Sequence, residues 1–141
     1  MRILGIDYGD SRVGIAVSDP MGWTAQGVET INCKGSSNKL LNRIEQLVKE
    51  YNINKIVVGF PKNMNGTIGP RGEKTLEFIG MLAERLDIDI IKWDERLTTV
   101  AASRAMHEMG IKTSRKKGIV DQIAAVYILQ GYLDRMGSAG S

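Results

Sequence analysis

The chain has 141 residues, 43% hydrophobic and 25% charged, enough for one domain to bury a core without a disulfide or a structural metal. A single cysteine, Cys33, and a single histidine, His107, exclude an internal disulfide and a Cys/His zinc cage. The net charge of +3 permits a polyanionic partner without demanding one, and no apolar run approaches the roughly 18 residues of a membrane span.

The first strand reads from Ile3 to Tyr8. Asp7 breaks its apolar run too early for a secretory signal, and the lone cysteine suits a reducing cytoplasm. Gly9-Asp10-Ser11 supplies a turn, and Val13 to Ser18 completes a hairpin. After Asp19-Pro20-Met21-Gly22, a third strand spans roughly Thr24 to Asn32. Leu40, Leu41, Ile44, Leu47, Val48 and Tyr51 follow at helical spacing with one apolar face. Lys55 to Phe60 is a short buried-type strand, and Pro61 to Gly69 is loop by its Asn, Gly and Pro content. Pro70 suits a helix first turn, and Leu76, Ile79, Leu82, Ala83 and Leu86 continue that helix. Ile88 to Trp93 reads as the fifth strand, Leu97 to Met109 as a helix stopped by Gly110, and about Ile119 to Arg135 as the last helix. Residues 1–136 are then one domain, and Gly137 to Ser141 a flexible tail. Three meandering strands followed by alternating helices and strands predict an α/β protein. Its mixed sheet is covered by helices, with strands four and five parallel to strand one.

Three acids stand out against this pattern. Asp7 ends a strand that should be central, where a carboxylate is costly unless paired or metal-bound; taken alone it also fits a hairpin turn. Glu95 follows Trp93 at the end of the fifth strand, the end where sites gather in such sheets; helix entry would equally favour an acid there. Asp94 is the reserve candidate, since alternation sends neighbours to opposite faces. Asp121 opens the last helix, and its same-face neighbours Ala124 and Ala125 are small enough for close approach to the sheet. A strand Asp, a strand-end Glu and a helix-start Asp can converge on one or two hard cations, and oxygen donors select Mg²⁺ or Mn²⁺. Two such ions can activate water and stabilise the leaving oxygen of a phosphodiester.

The basic residues fit that chemistry. Lys112, Arg115, Lys116 and Lys117 precede Asp121, Lys62 and Arg71 flank the Asn/Gly loop, and Arg12 lies just past the first turn. Each can meet phosphate, although a charge run is most often a solvated face. Trp23 and Trp93 can stack bases, but strand-associated tryptophan is more often core. His107 reads as structural or surface.

Four segments resemble the YqgF family. They are Gly5-Ile6-Asp7-Tyr8-Gly9 with Arg12 to Ala16; Gly59-Phe60-Pro61-Lys62 with Gly66; Trp93-Asp94-Glu95-Arg96-Leu97-Thr98-Thr99; and Lys117-Gly118 with Asp121, Ala124, Ala125 and Leu129. Members of that family go by the names pre-16S rRNA nuclease and, earlier, Holliday-junction resolvase. The likeness spans Ile3 to about Leu133. It implies a cytoplasmic bacterial protein of RNase H-like fold, a five-stranded mixed sheet in the order 3-2-1-4-5. It also implies a role in maturing the 5′ end of small-subunit ribosomal RNA, with Asp7, Glu95 and Asp121 as the acidic site. In that order strand four separates Asp7 from Glu95 by about 10 Å at the backbone, so the side chains must lean toward each other. Three alternatives are distinct: a junction resolvase, a non-catalytic nucleic-acid-binding module on the same fold, and a nucleotide-binding fragment of the actin and sugar-kinase type. A resolvase should be a two-fold homodimer; an RNA processor can be a monomer.

Overall fold

The structure is a computed structural model and describes residues 2–34, 36–97 and 117–140, with the side chains of the last helix from 121 to 137. Strands β1 (Arg2–Asp7), β2 (Arg12–Ser18) and β3 (Ala25–Asn32) form an antiparallel meander. Helix α1 (Ser37–Glu50) leads to β4 (Ile53–Phe60), helix α2 (Pro70–Arg85) to β5 (Asp89–Asp94), and a single 3-10 turn (Glu95–Leu97) ends that strand. Helix α3 (Lys117–Gly140) begins earlier than its sequence pattern predicts and carries helical backbone past Arg135 into the Gly/Ser segment. The helix expected from Leu97 to Met109 lies outside the described residues, except for Leu97, which belongs to the 3-10 turn.

The sheet has the order β3-β2-β1-β4-β5, with β1, β4 and β5 parallel. Each crossover is helical, as parallel neighbours require. Ser36 caps α1 by accepting from the Lys39 N–H, and Pro70 opens α2 where no backbone donor is needed.

Alternation along the strands divides the core in two. Leu4, Ile6, Val13, Ile15, Ile56 and Val58 face α1 and α2, with Phe78 and Leu82 beneath them. Ala16, Val57 and Trp93 face α3, against Ala124, Ala125, Ile128 and Leu129. The second layer is thin because the sheet carries small residues there. A Cβ on Gly14 would run into the backbone carbonyl of Asp121, and one on Gly5 would lie 2.7 Å from the Leu129 Cβ. The alanines at 124 and 125 complete this close approach from the helix side, as their spacing predicts.

Two glycine substitutions test this packing. Gly14→Ala should destabilise the fold by about 1–3 kcal/mol in urea unfolding, because the obstruction is backbone and cannot rotate away. Gly80→Ala, on the exposed side of α2 with nothing within 4 Å of a new Cβ, should stabilise by about 0.4–1 kcal/mol.

Candidate active site

Asp7 ends β1 at the edge where β4 and β5 also finish and β2 begins. The antiparallel register pairs it with Gly14, and the parallel register, which pairs Ile6 with Val58, sets it beside Gly59. Residues level with one another across a sheet share a face. Asp7 therefore looks onto the α3 side with a glycine on each flanking strand, and it is only 4% exposed.

Glu95 leaves the end of β5 in the 3-10 turn and is 5% exposed. A Cβ on Gly59 would lie 2.9 Å from Glu95 Oε2 and would collide with the Ile128 side chain. The Glu95 carboxylate thus lies over β4 at a position that has no side chain, on the face that Asp7 shares. The side chain occupies the gap that a glycine leaves on the strand between β5 and β1.

Asp121 stands in the first part of α3 with its carbonyl on Gly14, directly beside Asp7. Its carboxylate accepts from Arg12 Nε at 2.8 Å in a partly exposed ion pair. Among the described residues, no three Asp, Glu, His or Cys side chains come close enough together to hold one ion. All three candidate acids thus sit at one end of the sheet, two of them buried, and the third is engaged by an arginine.

Asp94 has a different environment. It pairs in register with Phe60, on the opposite face from Trp93, and is bound by Arg96 Nη2 at 2.7 Å. The Arg96 side-chain hydrogen bond holds the Asp94 carboxyl below its usual range, with burial opposing it and the Arg96 backbone N–H assisting. Arg96 also donates to the Met64 carbonyl at 3.4 Å, which ties the 61–69 loop to this strand end. That loop holds itself together through Asn63, Asn65 and Thr67.

Among the expected basic residues, Arg12 is taken up by Asp121. Lys62 lies 5.9 Å from the Phe60 ring centroid. Arg71 is exposed in the first turn of α2 and lines a cavity of about 70 Å³ with Tyr8, Gly9, Asp10, Lys74 and Thr75. The side chains of Arg115, Lys116 and Lys117, and His107 as a whole, lie outside the described residues. Lys92, which the sequence reading passed over, is 5.8 Å from the same Phe60 ring. Gly14 and Gly59 enter the sequence reading only as members of family-like segments, although a glycine inside an apolar strand is a signal of close approach. Trp93 is core, edge-on to Tyr132. Trp23 corrects the expectation of burial: it is 71% exposed, because it belongs to the turn before β3 and not to the strand.

Comparison with known proteins bears on the family and the fold. The model of the RuvX family, described as Holliday junction resolvase, matches residues 1–135. The chain belongs to the RuvX family. One relative, from Acetivibrio thermocellus, is 67% identical over 97% of this chain and 98% of its own length. Another, from Ruminiclostridium cellulolyticum, is 62% identical over 96% of each. Both carry the name "Putative pre-16S rRNA nuclease". Among solved structures, RuvC of Thermus thermophilus in complex with a Holliday junction substrate is similar with a TM-score of 0.60. The identity is 15%, over 98% of this chain and 97% of that one. A second structure, of Thermus thermophilus RuvC, gives 0.58. The fold of this RuvX-family chain is therefore that of RuvC, an RNase H-like sheet with the predicted strand order. Among the described residues, no helix is long and apolar enough to cross a membrane.

The Asp94–Arg96 pair gives this site a measurable pH signature. A depressed carboxyl pKa contributes stability above the ordinary carboxylate range and loses it as pH falls through the folded-state value. Asp94→Asn should melt below the wild type at neutral pH. The gap should persist through mild acid and close only at pH below the usual carboxylate range, as followed by thermal melts across pH.

Proposed function

We propose that this chain is a divalent-metal-dependent nuclease that hydrolyses phosphodiester bonds in the 5′-end maturation of precursor small-subunit ribosomal RNA. The observation that carries the reading is the passage of the Glu95 carboxylate over Gly59 toward Asp7, with Asp121 brought to the other side of Asp7 over Gly14. The names of the close relatives support the RNA substrate.

In this reading Asp7, Glu95 and Asp121 hold one or two Mg²⁺ or Mn²⁺ ions, since a donor set of carboxylate oxygens suits hard cations. Bound there, such ions supply an acidified water and neutralise charge developing on the phosphate. The chain's own contribution is placement. Asp7 is fixed by the ladders on both sides, and Glu95 by the 3-10 turn. Asp121 joins them only by sharing or leaving Arg12. Arg12, Lys62, Arg71, Arg115, Lys116 and Lys117 contact the nucleic-acid backbone, and action on ribosomal RNA places the protein in the cytoplasm. The family description and the RuvC fold favour a second reading, cleavage of branched DNA by a two-fold homodimer.

Side-by-side cleavage of labelled precursor rRNA and a synthetic four-way junction, in Mg²⁺ and in Mn²⁺, tests both. Cutting of the rRNA alone supports the first reading; cutting of the junction by a dimer supports the second. If the wild type binds nucleic acid but cuts neither, the chain is a binding module. Glu95→Gln is expected to abolish cleavage and leave binding intact, while Asp94→Asn keeps most of the activity; the reverse ranking would overturn the site.

Metal binding is also readable without turnover. A hundredfold excess of cation over Kd should stabilise the wild type by about 2.7 kcal/mol, raising its melting temperature relative to chelator. Asp7→Asn should lose most of that gain. Equal responses from the two proteins would return Asp7 to the role of a turn residue.

A further inference from the structure

The face of the sheet away from α3 carries a feature that the carboxylates do not use. Phe60 ends β4 with its ring buried, and two ammonium groups approach it: Lys62 at 5.9 Å and Lys92 at 5.8 Å from the centroid. Lys92 lies on β5, the edge strand, and pairs in register with Val58, so its side chain rises on the Phe60 face. Lys62 follows Phe60 by two residues at the mouth of the 61–69 loop.

Each ammonium is attracted by the ring quadrupole, by about 0.5–1 kcal/mol at an exposed site. Gathering two like charges on one ring opposes that gain unless an anion joins them. No carboxylate does so among the described residues: neither lysine is in an ion pair there. Asp94, whose charge Lys62 feels, is committed to Arg96. Lys92 is exposed on the edge strand that leads to Glu95, and Lys62 is half-buried at the start of the 61–69 loop.

We propose that Lys62 and Lys92, steadied on the Phe60 ring, form a phosphate-contacting pair. It receives the nucleic-acid backbone where the strand passes from the carboxylates across the β4–β5 edge. The proposal rests on the nuclease reading and adds a place for the flanking strand. Lysine suits this place as a mobile point charge meeting phosphates whose spacing varies along a flexible strand. The pair carries no base readout and acts alike on all sequences.

The test is binding of a labelled single-stranded RNA in chelator, where cleavage plays no part, at a series of salt concentrations. Each lost phosphate contact should flatten the slope of log K against log salt by about 0.7. Lys92→Ala should therefore lower the slope by about 0.7 and the Lys62→Ala/Lys92→Ala double variant by about 1.4, with melting temperatures close to wild type. Lys49→Ala, in the last turn of α1, should leave it unchanged. A wild type that binds no RNA, or binds with no salt dependence, overturns the nuclease reading itself. A wild type with a steep slope that Lys92→Ala does not alter overturns the phosphate pair alone, and leaves Lys92 as a charge that keeps an edge strand from pairing with another sheet.

Discussion

Everything at the candidate site depends on how closely α3 lies on the sheet. Helices normally stand off a sheet by the depth of two side-chain layers. Here Gly5 and Gly14 remove one layer, and Ala124 and Ala125 thin the other. The backbone of α3 then comes down onto β2 at Gly14, the residue paired with Asp7. The backbone of an aspartate on the helix is thereby brought onto the strand beside Asp7. A bulkier residue at 14 would leave Asp7 and Asp121 as two unrelated acids.

Gly59 does the corresponding work on the other side. Parallel strands with a third between them keep their ends apart, and β4 stands between β1 and β5. The gap over Gly59 lets one long carboxylate cross. Glutamate can do this and aspartate at the same place would fall short, which gives the strand-end acid its length. Asp94 takes the opposite direction and spends its charge on Arg96 and, through it, on the 61–69 loop. Two adjacent acids at one strand end thus have separate surroundings because alternation sends them to separate faces.

The charge distribution follows the same division. On the α3 face the acids are buried or nearly so, with Arg12 as the balancing cation at Asp121. On the opposite face at the same end of the sheet, Lys62 and Lys92 approach the Phe60 ring, while Asp94 is held by Arg96. In the nuclease reading proposed above, a polyanion crossing that end would meet these lysines beside the acids, with an attraction that is stronger at low salt.

The sequence by itself determined the element order, the mixed sheet, the three acids and the small residues on the last helix. These are carried by local signals: strand and helix periods, turn residues, and charges that interrupt apolar runs. The strand order came from family resemblance, and the sheet bears it out. What only the tertiary structure decided is which side chains meet. That Glu95 passes over Gly59, that Arg12 holds Asp121, and that Lys62 and Lys92 share Phe60 each joins residues on different strands or helices. The pairing of β4 with β5 fixes the register that sets Lys92 level with Val58 and so on the Phe60 face, and no pattern within either segment contains that register. Trp23 shows the same limit from the other direction: a tryptophan beside a strand reads as core, but the turn before β3 leaves it exposed. Local physics sets what each segment is; the distances between segments are set by the packing of all of them at once.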